Sequence, residues 1–137
     1  MLSNGDNKEV IIDHWFEIAR RSISAAEREL NSGNLDFSAN RIYYAAFYAV
    51  TAALMQLGQR YKKHSAVRAA FHREFIKTEL VPKEYGFLYD TVMRDREDAD
   101  YLSFIQIEED VLKQEIDQVK SLIEIMEKLV QKQKLDQ

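Results

Sequence analysis

Cysteine is absent from the chain, which excludes disulfides and thiolate metal sites and leaves nothing that argues for an oxidising compartment. Proline occurs once, at Pro82, and glycine four times, so helix breakers are scarce and the alphabet favours an all-α fold. There is no apolar run long enough to cross a bilayer, which takes roughly 20 residues; the run at 42–57 is shorter and is interrupted by tyrosine hydroxyls and Gln56. Residues 1–9 are polar and lack an apolar leader or cleavage signal, so the cytoplasm is the default location. The 137 residues suit one domain covering 1–137, with loose ends at 1–8 and 135–137.

What the chain does have is a helix that tolerates little water. Residues 38–57 are apolar or aromatic on almost every face, with alanines that let neighbouring backbones approach and with Tyr43, Tyr44, Phe47 and Tyr48 supplying bulk. Such a segment belongs at the centre of a bundle. Arg41 opens it, and its charge must reach solvent or find a carboxylate.

Charge is unevenly spread. The net value is -4, yet between residues 59 and 78 Arg60, Lys62, Lys63, Arg68, Arg73 and Lys77 face one acid, Glu74. A basic segment in an acidic protein is a candidate anion-binding surface.

Around the central helix the pattern predicts four more. The first runs over 10–30, with Ile11, Trp15, Ile18, Ser22 and Ala25/Ala26 inward, and ends at Gly33. Asp36 or Ser38 would cap the second, which ends at Gly58. A short third helix, capped by Ser65, places Val67, Phe71, Phe75 and Thr78 on one face before Pro82 stops it. The fourth runs from residue 83 or 84 to 101, burying Leu88, Val92 and Ala99, with Asp90 and Arg94 in the favourable (i, i+4) order. The fifth, over 108–134, spaces Leu112, Ile116, Val119, Ile123, Met126 and Val130 at alternating intervals of four and three. Leu122, Ile125 and Leu129 widen that stripe toward a bundle core rather than a coiled coil.

Three groups of residues carry possible chemistry. His64, Arg68 and His72 recur at (i, i+4, i+8) along one strip, either a solvated basic face or a phosphate-contacting one with Tyr61 as a stacking partner. Histidines two turns apart without a carboxylate on that strip do not make a zinc site. Asp98 and Asp100 diverge by about 200° on a helix, which argues against a shared magnesium ion. Arg94, Asp98, Asp100 and Tyr101 read as an ion-pair network or as a site. Tyr43, Tyr44, Tyr48, His14 and Trp15 read as packing.

Taken in order, Arg41-Ile-Tyr-Tyr-Ala-Ala-Phe-Tyr-Ala-Val, Gly58, Lys63-His64-Ser65, Phe75-Ile-Lys-Thr78 and the stretch from Arg94 to Asp98-Ala99-Asp100-Tyr101 resemble the HEPN domain family, in its small stand-alone prokaryotic branch, over residues 9–130. The resemblance implies an antiparallel, up-and-down bundle of four to five helices that forms a homodimer and handles RNA or nucleotides. It also implies a minimal nucleotidyltransferase as partner in a toxin-antitoxin type pair, with no cofactor, no metal and no membrane. Ribonuclease relatives carry an arginine, four to six residues, then a histidine on the matching fourth helix. Here Arg94 or Arg96 holds the arginine position; no histidine follows, and Asp100 stands nearest, with Tyr101 after it.

That departure has chemical weight. Metal-free RNA cleavage needs proton transfer to and from oxygen, and an imidazole with a pKa of about 6.5 can serve either way. An aspartate near 3.9 is ionised at neutral pH and repels phosphate. The reading is therefore an RNA- or nucleotide-binding protein, with a metal-independent endoribonuclease and a structural helical adaptor as alternatives. The binding residues are Arg94, Arg96, Asp100 and Tyr101 at a dimer groove, with Lys62, Lys63, His64 and Arg68 as an outer patch. Arg94, Arg96 and Asp100 are the catalytic candidates if the protein is active. Some relatives are adenylylated on a tyrosine past the motif, and Tyr101 is the corresponding position.

Overall fold

The computed structural model describes residues 4–101 and 107–136. The order is α1 (Asn4–Asn31), α2 (Leu35–Gln56), α3 (His64–Phe71) continuing into a π-helical turn (His72–Ile76), α4 (Lys83–Tyr101) and α5 (Glu109–Leu135). This is an all-α bundle. Helix α1 reaches back into the stretch expected to be loose, and Lys8 there donates from Nζ to the Gln56 carbonyl at 3.1 Å.

α2 touches every other helix, as its all-round apolarity requires. Its direction against α1 is fixed at both ends. Ser38 Oγ donates to the Ala26 carbonyl at 2.9 Å beside the connecting turn, and the Lys8–Gln56 bond closes the far end. α5 runs antiparallel to α1, because Lys120–Glu27, Arg20–Glu127 and Lys134–Glu9, each at 2.8 Å, succeed one another in opposite directions along the two helices.

The buried stripe of α5 is the expected one, all six seam residues being at most 3% exposed. In α1 Ser22 and Ala26 are buried as the sequence suggested, but elsewhere the buried residue is the next one along: Ile12, Phe16 and Ala19 are buried, as are Ile23 and Leu30, while Ile11 is exposed and Trp15 and Ile18 stand at the edge. The apolar arc of α1 is broad, and it packs mainly against α2. His14 is exposed, not packed.

Capping also differs. Asn34 precedes α2 without a side-chain cap bond, and Ser38 spends its hydroxyl between helices. Lys63, not Ser65, precedes α3. The π turn shifts the register after Phe71, so Phe75 stays buried but Thr78 turns out to solvent.

Glu79 then adopts φ 63°, a left-handed conformation that a Cβ disfavours. Glu79→Gly is expected to raise unfolding stability by about 0.5–1 kcal/mol in urea titrations; a loss would mean that the carboxylate has a partner worth more than the strain.

Candidate functional site

The first turns of α2 place Arg41, Tyr43 and Tyr44 against the C-terminal half of α4. There Arg96 lies with its guanidinium carbon 4.9 Å from the Tyr43 ring centre and 5.8 Å from that of Tyr44. Arg41 approaches Tyr44 as well, at 5.1 Å, and donates to Asn40 Oδ1 rather than to a carboxylate. The Arg96 side chain is 12% exposed; Asp100 lies 3.5 Å from it one turn on and Glu97 3.9 Å away. Its Nε is buried with no hydrogen-bond partner among the described residues. A desolvated guanidinium on a tyrosine face gains about 2 kcal/mol, so Arg96 is held in place rather than free to sweep.

The imidazole of His64 meets the same rings. Grouped by the sequence with Lys62, Lys63 and Arg68 in an outer patch, it is instead half-buried, 4.5 Å from Phe47 and 5.6 Å from Tyr43 between ring centres. Its Nδ1 lies 3.0 Å from the Tyr43 hydroxyl. Burial pushes the Tyr43 phenol up to about 12, so Tyr43 meets Nδ1 as a neutral hydroxyl. Burial, and then the charge of Arg96, hold the His64 pKa below its ordinary value, so the ring is neutral at pH 7.

The remaining candidates divide by helix face. Arg94 is 67% exposed and lines an open groove of about 340 Å³ with Ser65, Arg68, Asp90, Met93 and Glu97. Its nearest acid is Asp95, at 3.9 Å. Asp90 turns away to α3 and the π turn, where Arg68 Nε (2.6 Å) and His72 Nε2 (2.9 Å) both meet Oδ1. Burial pushes the Asp90 carboxyl up, but those two hydrogen bonds outweigh it and hold it below the usual carboxylate range. The presumed His64–Arg68–His72 strip is thus split, with His64 turned into the aromatic cluster and the other two on Asp90. Asp100 accepts from Asn40 Nδ2 at 3.4 Å; Tyr101, Lys62 and Lys63 are exposed.

The profile of the HEPN domain matches residues 12–135. The chain belongs to the HEPN domain family. A UPF0332 protein of Thermotoga maritima is 39% identical over 126 residues, which is 92% of this chain and 96% of that protein. A protein of Methanocaldococcus jannaschii named "Putative toxin MJ0142" is 36% identical over 99 residues, 72% of this chain and 67% of its own length. UPF0332 protein PH1297 of Pyrococcus horikoshii is 29% identical over 75 residues, 55% of this chain and 53% of that protein.

In this HEPN domain Tyr43 is buried in the core and Tyr44 and Tyr48 pack against it, as the sequence suggested; what the sequence reading missed is that Tyr43 and Tyr44 also carry Arg96 on their faces, and Tyr44 carries Arg41. A signal was available. Tyr44 follows Arg41 by three residues, the spacing at which a charged group can reach a ring on its own helix.

Proposed function

We propose that this HEPN domain binds RNA or a nucleotide through its phosphates, as a homodimer and as one half of a toxin-antitoxin type pair with a minimal nucleotidyltransferase in the cytoplasm. The observation that carries the reading is Arg96, a guanidinium fixed over two tyrosine faces whose Nε finds no partner among the described residues. Such a group pairs with phosphate without first losing side-chain freedom. Arg94 and Arg68 in the adjoining groove add cations, and Lys62 and Lys63 are exposed just before α3. Asp100 orients Arg96 and Tyr101 offers an exposed hydroxyl, also the candidate for modification. The relative named as a toxin supports the pairing with an antitoxin. No helix among the described residues is long and apolar enough to cross a membrane.

The test is a titration of labelled structured RNA at two salt concentrations. Affinity is expected to fall as salt rises, because phosphate contacts release counterions. No binding at low salt would favour a structural adaptor. Capture from the native host is expected to bring down a nucleotidyltransferase.

His64 favours a second reading, the metal-independent endoribonuclease. An imidazole stands on the rings that hold Arg96, supplied by α3 instead of the fourth helix, and as a neutral ring it would take the 2′-hydroxyl proton as general base. Under this reading RNA is cleaved in EDTA and cleavage is lost in both His64→Ala and Arg96→Ala. Intact RNA after prolonged incubation with the wild-type protein would remove the reading.

A further inference from the structure

A second recess lies on the other side of Phe47 from the arginine site. Its walls are Trp15, Phe47, Leu54, Met55 and Val67, and it encloses about 110 Å³. An engineered apolar cavity of about 150 Å³ takes benzene, so this one has room for most of a single planar ring, with its substituents left outside. The walls are braced from behind: Trp15 stacks on Tyr48 at 5.4 Å, and Phe47 backs onto His64 at 4.5 Å.

The mouth is polar and organised. Tyr61 donates to Gln59 Oε1 at 3.0 Å, and Arg73 Nη2 from the π turn donates to the Tyr61 hydroxyl at 3.1 Å and reaches Gln59 Oε1 at 3.3 Å. The π turn thereby fixes an aromatic ring at the rim. Arg60, exposed, completes the lining of the mouth, and Lys62 and Lys63 follow it in the chain. Thr51 is in the wall, with its Oγ1 buried and unpartnered among the described residues. An apolar slot with aromatic walls, a few convergent polar groups and a cationic lip fits a flat, hydrogen-bonding ring that carries a negative charge on a short arm.

We propose that this recess is a nucleobase site, sized for a pyrimidine, in which the ring enters beside Trp15 and Phe47, Tyr61 covers it and Arg60 takes the attached phosphate. The ligand class rests on the nucleotide-binding reading above, but the site is separate from Arg96 and can fail or succeed by itself. It also gives the basic stretch at 59–63 a function distinct from the groove: it anchors a base while the groove holds backbone.

Trp15 is the sole tryptophan, so its fluorescence reports occupancy directly. Titration with UMP is expected to give a saturable change, and uridine, lacking the phosphate, to need about tenfold higher concentration. Arg60→Ala is expected to bring UMP down to the uridine level. Tyr61→Ala should weaken both by about tenfold through lost stacking, and Lys77→Ala, an exposed cation of the same basic segment that lines neither site, should leave both unchanged. A short oligouridylate that gives the same Trp15 change more tightly than UMP assigns the site to RNA; a response to UMP alone assigns it to free nucleotide.

Silence of Trp15 toward UMP and oligouridylate overturns the proposal. So does an equal response to inorganic phosphate, or an Arg60→Ala protein that binds UMP as before. If Trp15 is silent while RNA still binds in an Arg96-dependent way, the recess is a packing void and the proposed function stands. If Trp15 responds but no RNA binds through Arg96, the reverse holds.

Discussion

Glu115→Gln is expected to stabilise the protein by about 2–3 kcal/mol at pH 8 and above, and by nothing below the ordinary carboxyl range near 4.5. Glu115 sits on α5 with 5% of its surface exposed, and neither carboxyl oxygen finds a donor among the described residues. Burial, and then the neighbouring Asp95 carboxyl, push its pKa up to about 8, against a smaller opposing pull from Arg94. Since the folded chain keeps a proton that the unfolded chain releases from about pH 4.5 upward, stability falls as pH rises through that window and levels off above 8. A group titrating alone over that interval would account for roughly 5 kcal/mol at 1.36 kcal/mol per pH unit. The proton is shared with Asp95, whose side chain is a quarter exposed, which reduces the figure to the 2–3 kcal/mol stated. Glutamine keeps the shape, supplies a permanent donor and releases no proton on unfolding, so the gain should grow from about pH 4.5 and be complete near pH 8. Urea unfolding of both proteins from pH 4 to 9 checks this; a gain independent of pH would show that proton release is not the cause.

The same carboxyl marks a boundary of what the sequence made legible. Along α5 the hydrophobic spacing identified every buried seam residue, but Glu115, one position before Ile116, looks from sequence like one more solvated acid. It is buried because α4 leans across that edge of α5, and the lean is a tertiary fact. The first half of the α1 stripe was misplaced by one residue for a related reason, while Ser22 and Ala26 lie where they were expected: adjacent apolar pairs such as Ile11-Ile12 and Trp15-Phe16 leave the phase open until the packing against α2 is known. Asp90 offered two partners, Arg94 on its own helix and Arg68 across the groove. The cross-helix pair prevailed because α3 brings two donors to one oxygen, whereas an (i, i+4) pair on an exposed helix face is worth only about 0.3–0.5 kcal/mol.

His64 is the most consequential difference. A histidine inside a run of lysines and arginines reads as part of a solvated basic face. The structure inserts it between Tyr43, Tyr44 and Phe47, because the loop after Gly58 folds back onto the first half of α2. Nothing in local spacing announces a contact between residues 43 and 64. By contrast the pairing of Arg96 with Asp100 needs only helical geometry, and it was legible from the outset.

Arg96→Ala is expected to reduce RNA affinity by at least about tenfold at low salt and to lower the slope of log affinity against log salt by about one phosphate contact. Arg94→Ala, at a side chain two-thirds exposed, should lower affinity without changing stability; Arg96→Ala should also cost about 1–2 kcal/mol, because it uncovers two tyrosine faces and leaves Asp100 and Glu97 without their shared cation. Arg96→Lys separates charge from shape: an ammonium retains the charge but loses the flat fork, so a partial recovery of affinity with little recovery of stability is the expected pattern. His64 supplies an internal check that owes nothing to RNA. With the Arg96 charge gone, one of the two causes depressing the imidazole pKa disappears, and its titration by NMR should move up toward the ordinary histidine value while burial still holds it below. An Arg96→Ala protein with unchanged RNA affinity and an unmoved His64 titration would mean that Arg96 is neither a phosphate contact nor an electrostatic neighbour of His64, and the phosphate-binding reading would lose its anchor.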